Sequence, residues 1–240
     1  YTLSLHDALP IYAERLSAER VRRIAKIIRD ADDRGHAIAV HKNDGLDFSE
    51  FADDPSIDQF AIQYNVTTAE QLHAGVVQAR RQAKGRYGVN LSEAADWGAG
   101  AESRRKCWAC AMGGASVMVL GMDIVSTPVS DLEDCGTVVR FFQAVADLPS
   151  MEPHDELAHA GTQYVLAGPG GSYVVYTSQP GSHVGLKGLQ AGTYSFRWLD
   201  CASGKTVVQE SVDVPAGDGT WARPEGLGDE LAVHIRRVGG

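Results

Sequence analysis

Two hydrophobic periods alternate along the chain as far as Met151. Ser17 can cap a helix whose apolar positions Val21, Ile24, Ala25 and Ile28 keep the i, i+3, i+4, i+7 spacing, with Gly35 as its stop. Ala37 to His41 (AIAVH) is short, apolar and β-branched, as a strand covered on both faces should be, and it gives way to the polar His41, Lys42 and Asn43. After a loop or short helix around Phe48 to Phe51, Asp58 to Gln63 reads as a strand ending polar at Gln63, Tyr64 and Asn65. Thr67 and Glu70 form a capping box for a helix with Leu72, Val76 and Ala83 inward. Arg86 to Ser92 is a third strand, terminated by Glu93, and a helix from about Ala101 to Met112 follows, with Arg104, Cys107, Trp108 and Ala111 on one face. Ser116 to Gly121 is a fourth strand ending at Met122 and Asp123, and Ser130 and Glu133 box a last helix with Cys135, Val138, Val139 and Phe142 inward.

Strand and helix thus alternate, which demands parallel strands joined by right-handed crossovers, each strand carrying polar residues at its C-terminal end. This is the layout of half a TIM (β/α)8 barrel. A doubly wound sheet is the rival, but no GxGxxG or P-loop follows any strand. From about Gly161 the texture changes to short alternating runs at Gln163–Ala167, Tyr173–Thr177, Val184–Lys187, Thr193–Leu199, Val207–Val214 and Leu231–Ile235, separated by Gly-, Pro- and Asp-rich turns. These predict a small β-sandwich. The expected fold is therefore α/β plus all-β: a partial barrel over residues 12–152 and a β-sandwich domain over 153–240. Residues 1–11 (YTLSLHDALPI) look like a translated sequencing adapter, are left out of the expected fold, and suggest that the chain is a fragment with its true N-terminus absent. Localisation stays open, secretion included.

Composition narrows the function classes. The net charge of -9 argues against a nucleic-acid partner, and no apolar run of about 18 residues is present to span a bilayer. Cys107 and Cys110 form a CxxC pair that could be half a zinc site, but Cys135 and Cys201 do not supply a matching spacing, so the four cysteines read as thiols and no metal or cofactor is expected.

Glu93 is the only acid on its strand and falls at the polar end, with Trp97 a few residues on. A carboxylate beside an aromatic plane suits glycoside cleavage, where an anion supports an oxocarbenium-like transition state and the sugar's CH face packs on a ring. The alternative is an ordinary loop carboxylate paired with an Arg. His41 is a substrate contact or a buried histidine bonded to backbone, Gln63, Tyr64 and Asn65 bind sugar hydroxyls or cap loops, and Asp123 lines a pocket or caps a turn.

The segments RIAKIIRDADDRGHAIAVH, YGVNLSEAADW, RRKCWACAMGGASVMVLGMDI and DLEDCGTVVRFFQA resemble the C-terminal half of barrel-type glycoside hydrolases of the apiosidase-like group. ELAHAGTQYVLAGPGGSYVVYTSQPG and AGTYSFRWLDCASGKTV are similar to the small β domain, labelled collagen-binding, that follows those barrels. The resemblance implies strands five to eight of the barrel, Glu93 as nucleophile at the end of the seventh, an oligo- or polysaccharide substrate, and a general acid/base on a fourth strand that this chain lacks. A retaining mechanism needs both carboxyls, about 5 Å apart, so the fragment itself is expected to be inactive. The open sheet is expected to leave AIAVH and SVMVLG without partners on one side and to favour self-association. A non-catalytic carbohydrate-binding or structural module on a degenerate barrel is the other reading, and exposed Trp198, Trp221 or Tyr194 in a row would favour it.

Overall fold

The Ser17 side chain accepts a hydrogen bond from the Arg20 amide, and the first helix, α1 (Ala18–Ala31), starts there with Val21 and Ala25 buried. It links β1 (Ala8–Tyr12) to β2 (Ala37–Asn43). After a 3-10 turn at Ser49–Phe51 come β3 (Gln59–Gln63), α2 (Ala69–Ala83) and β4 (Gly88–Glu93), and β5 (Ser116–Val117) completes the sheet. The computed structural model describes residues 8–12, 16–43, 45–93, 97–117, 127–145, 147–179, 181 and 183–238. The expected strand residues 118–121 and Asp123 lie outside them. The chain packs as two units, Tyr1–Trp97 with Ala115–Thr127, and Gly98–Gly114 with Pro128–Gly240.

In the first unit the five strands are parallel and ordered β1-β2-β3-β4-β5. Among the described strands sequence neighbours are spatial neighbours, without the order reversal of a doubly wound sheet. Ile38, Val40, Phe60, Ile62, Val89 and Leu91 alternate along the strands and are buried. Phe60 stacks between Phe48 and Tyr87, at centroid distances of 4.5 and 4.4 Å, and the Tyr87 hydroxyl donates to the carbonyl oxygens of Phe51 and Asp54. Two expectations shift here. The Thr68 hydroxyl, one residue past Thr67, accepts the Gln71 amide and caps α2. Residues 8–12, of which 8–11 are left out of the expected fold, pair in parallel with β2, so the AIAVH edge is covered. The physical reason is that an open edge of unpaired amides and carbonyls is a template for any extended apolar segment.

The second unit contains α3 (Ala101–Met112), α4 (Val129–Gln143) and nine short or regular strands: β6 (Glu152–Pro153), β7 (Ala158–His159), β8 (Tyr164–Gly168), β9 (Ser172–Thr177), β10 (His183–Leu189), β11 (Gly192–Asp200), β12 (Thr206–Val214), β13 (Gly217–Ala222) and β14 (Leu231–Arg237). They form antiparallel sheets ordered β12-β11-β14-β9-β8-β6 and β13-β10-β7. Side chains of both sheets make one core, including Val165, Val175, Leu186, Phe196, Trp198, Val233 and Ile235. All six runs expected from the sequence are strands, and β13 is added where Ala216 to Gly219 suggested only a turn.

The opposite face of the larger sheet is covered by α3, against which α4 packs. Trp108 stacks on Tyr176 at 5.5 Å, Tyr176 on Tyr164 at 5.9 Å, and Phe141 meets the Trp108 edge at 5.4 Å. Arg104 in α3 donates through Nε and Nη2 to Glu230 Oε2, at 3.1 and 2.8 Å, and through Nη1 to Asp134 of α4 at 3.2 Å. The division by packing therefore differs from the division by sequence texture, because α3 packs on β8 and β9 and α4 packs on α3. The Ser130 and Glu133 box is not what starts α4. The helix begins after Pro128 without a side-chain cap, and Asp131 turns its carboxylate to the Gly100 amide at the start of α3, at 3.1 and 3.2 Å. Val139, expected inward, is 52% exposed, and Phe141 takes the buried position. No helix among the described residues is long and apolar enough to cross a membrane.

Candidate active site

The C-terminal ends of β2, β3 and β4 bring the sequence-derived candidates to one edge of the parallel sheet. Their register sets two rows. His41, Ala61, Asn90 and Ser116 are successive partners across four strands, and two residues further along β2 and β3 Asn43, Gln63 and Glu93 are partners across three. His41 is 5% exposed and Gln63 is half-buried. Val40, Ile62 and Leu91 alternate with these positions and belong to the apolar face, so His41, Ala61 and Asn90 share the other.

The pairing of β3 with β4 is interrupted at the end that matters. Ile62 faces Leu91, but Gln63 faces Glu93, so β4 holds one extra residue, Ser92. The Ser92 hydroxyl donates to the Ile62 carbonyl at 3.1 Å across this bulge. The consequence is that the backbone of Glu93, in place of Ser92, stands beside Gln63. A bulge re-aims a strand end and is over-represented next to active sites.

The other candidates divide. Asn65 is exposed just past the end of β3. The Tyr64 ring lies against α2: a Cβ on Gly75 would come within 2.5 Å of its Cε1, so only glycine there lets the ring approach, and the side chain is committed to helix packing. Trp97 is 7% exposed, a buried ring in place of an open platform. Asp123 lies outside the described residues. Lys42, between the two rows, points to the apolar side, over the rings of Phe48 and Phe51 at 5.5 and 5.4 Å and ion-paired with Glu50. Asn90 was not a sequence candidate. The signal was available in the alternation of GVNLSE, whose Val89 and Leu91 are buried, leaving Asn90 in the row of His41.

In the second unit, Trp198 and Tyr194 are 0% and 1% exposed, and Trp221 meets Phe196 edge-on at 4.8 Å. Trp198 and Tyr194 are core and Trp221 is partly buried against it, so the three do not form the exposed row a glycan platform requires. Among the described residues no group of three or more His, Cys, Asp or Glu is arranged to hold a metal ion.

No protein-family model and no curated protein sequence matches the chain. Solved structures do. A glycoside hydrolase matches with a TM-score of 0.64 at 11% identity over 89% of this chain and 60% of its own. A glycoside hydrolase family 5 protein from Bacteroides vulgatus ATCC 8482 matches with a TM-score of 0.65 at 10% identity, over 89% of this chain and 57% of its own. An Anoxybacillus alpha-amylase matches with a TM-score of 0.54 at 10% identity, over 97% and 60%. The chain thus spans about 60% of the length of the first of these structures. It is similar in fold to glycoside hydrolases, with mixed α/β and β content.

Proposed function

We propose that the chain is the C-terminal part of a retaining glycoside hydrolase acting on an oligo- or polysaccharide, with Glu93 as the nucleophile. The single observation that carries the reading is the Ser92 bulge, which sets Glu93 beside Gln63 at the C-terminal edge of a sequentially ordered parallel sheet. In a (β/α)8 barrel, that edge is where reacting groups gather. On this reading the five parallel strands are a barrel segment and the two antiparallel sheets a sandwich appended to it.

The Glu93 carboxylate attacks the anomeric carbon, forming a glycosyl-enzyme ester while a second carboxyl protonates the leaving oxygen; the same group then deprotonates the water that releases the sugar. The second carboxyl is assigned to an upstream barrel strand. His41, Asn90 and Gln63 share the edge and supply hydrogen-bonding groups for sugar hydroxyls, and Asn65 reaches from its exposed position.

The test uses the chain joined to its upstream coding sequence. A 2-deoxy-2-fluoroglycosyl fluoride should label the tryptic peptide Tyr87–Arg104 on Glu93, and Glu93→Gln should abolish turnover with oligosaccharide binding retained. Labelling of a different peptide, or near-normal turnover by Glu93→Gln, overturns the assignment. Residues 8–240 alone should bind without turnover.

A further inference from the structure

The second unit holds a pair of sulfurs that the proposed hydrolysis does not use. Cys107 Sγ of α3 and Cys135 Sγ of α4 lie 3.6 Å apart, and Cys135 Sγ also donates to the Asp131 carbonyl at 2.9 Å. With the Cys135 proton engaged by that carbonyl, the Cys107 thiol is left as the donor between the two sulfurs. Cys107 is fully buried while Cys135 is half-buried, so a solvent-borne reagent reaches the second first. From this geometry we infer that Cys107 and Cys135 are a reversible dithiol site, which a small disulfide such as glutathione disulfide converts to a cross-link between α3 and α4.

Exposure sets the order of events. The hydrogen bond from Cys107 holds the Cys135 thiol below its ordinary range, against burial and the nearby Asp131 and Asp134 carboxylates, while that bond and burial push Cys107 up. Cys135, the half-buried sulfur that the reagent reaches first, gives up the proton it holds against the Asp131 carbonyl and attacks as the thiolate. Its sulfur displaces one glutathione thiolate to give a mixed disulfide. Cys107 then loses its proton and attacks the Cys135 sulfur, expelling the second glutathione. Two protein thiols and one glutathione disulfide become one protein disulfide and two glutathione thiols, so atoms and electrons balance. The sulfurs must approach by about 1.5 Å to reach the bond length of about 2.05 Å, a movement within reach of two side chains on adjacent helices. Cys110 is fully buried with its thiol pushed up by desolvation alone, and Cys201 is also fully buried, so neither competes as the entry thiol.

The site gives α3 and α4 a covalent tie beside the Arg104–Asp134 ion pair. It also closes the 28-residue separation across which the chain leaves this unit, contributes β5 to the parallel sheet, and returns.

The experiment is native incubation with glutathione disulfide, thiol titration after denaturation, and non-reducing peptide mapping. Two of the four thiols should be lost, Cys107 should map to Cys135, and the midpoint of thermal unfolding should rise by about 5 to 10 °C and fall back with dithiothreitol. Cys135→Ser, at a half-buried position, should stop the loss, and Cys110→Ala should leave it intact. Four surviving thiols, a bridge to Cys110, disulfide-linked dimers in place of the internal link, or continued loss of two thiols in Cys135→Ser would each overturn the site.

Discussion

The hydroxyl of Ser92 donates to the carbonyl of Ile62 at the one point where β4 carries a residue more than β3. That bond closes over the bulge, which puts Glu93 in register with Gln63. Removing the hydroxyl and removing the residue are therefore different experiments. Ser92→Ala loses one part-buried hydrogen bond and should cost about 1 kcal/mol in urea unfolding, with the register kept. Deleting Ser92 removes the bulge: Glu93 then follows Leu91 directly and still pairs with Gln63, but the regular pairing no longer gives the strand end the bend and twist that aim it. On the proposed function, the deletion in the upstream-extended enzyme should lower kcat at least about a thousandfold, the size of effect expected for a misplaced catalytic group, with circular dichroism unchanged. Turnover within tenfold of the parent would detach the bulge from catalysis.

Arg104 joins α3 to both Glu230 and Asp134, and Tyr176 donates to the other oxygen of Glu230 at 3.0 Å. Glu230 is 7% exposed, so Arg104→Met leaves a carboxylate almost dry and poorly paired. The expected cost is about 3 to 5 kcal/mol. Adding Glu230→Leu should recover much of that loss, since it removes the stranded charge. A double variant no more stable than Arg104→Met would mean that the helix contacts, and not the buried carboxylate, set the penalty.

The helical cover also limits where the second unit can be cut. Leu166, Val174 and Tyr176 are at most 1% exposed and lie on the sheet face that α3 meets. Residues 151–240 without the two helices should bind a hydrophobic dye and associate in sedimentation velocity, whereas the full chain binds little dye. Trp108→Ala in the full chain should cost about 3 to 5 kcal/mol. A monomeric, dye-silent 151–240 segment would show that this face tolerates water.

The alternating periods in the sequence identify α1, β2, β3, α2, β4, α3 and the six principal antiparallel strands because each element buries one face or both and its pattern records that. The same signal says which side is buried and not against what. Trp108 is readable as core, but its partner Tyr176 is 68 positions away, so the packing of α3 on the β strands has no trace in either segment. The Ser92 bulge is equally silent, since one extra residue in GVNLSE leaves the alternation of Val89 and Leu91 intact. Tyr64 and Trp97 show the same limit from the other side: residue type near a strand end suggests sugar contacts, but it does not reveal that Tyr64 lies against Gly75 of α2 or that Trp97 is buried. β13 has no clear sequence signal because Gly217 and Gly219 favour turns, yet Gly219 pairs with Leu186 in the smaller sheet and the side chains of Leu189 and Trp221 pack over it.

Helix capping gives a test of that single-residue resolution. Thr67 and Thr68 are both β-branched hydroxyls ahead of α2, and the spacing to Glu70 favours the first as cap. In the structure the Thr68 hydroxyl accepts the Gln71 amide at 3.2 Å, while Thr67 reaches only the Gln71 side chain at 3.4 Å. Thr68→Ala should cost about 1 kcal/mol and Thr67→Ala a few tenths, measured side by side in urea. Equal costs would return the cap to the box the sequence suggested.

His234 supplies the pH dependence. Its ring is packed on the helix-covered face of β14, with Nε2 3.1 Å from Ser172 Oγ and 4.0 Å from Asp147, while Arg197 and Arg236 stand near. Burial holds its pKa below the usual 6.5, with the two arginines adding to that and Asp147 opposing it. The unfolded chain therefore binds the proton at a higher pH than the folded one. Stability from this group is complete above about pH 6.5 and is lost as the pH falls through that value toward the folded pKa, where the loss levels off. Replacing His234 with Gln removes a group that protonates preferentially in the unfolded state. The variant should lose less stability than the parent between pH 7 and pH 5, even if it starts lower for want of the imidazole packing. Parallel pH profiles for the two proteins would place the acid sensitivity elsewhere.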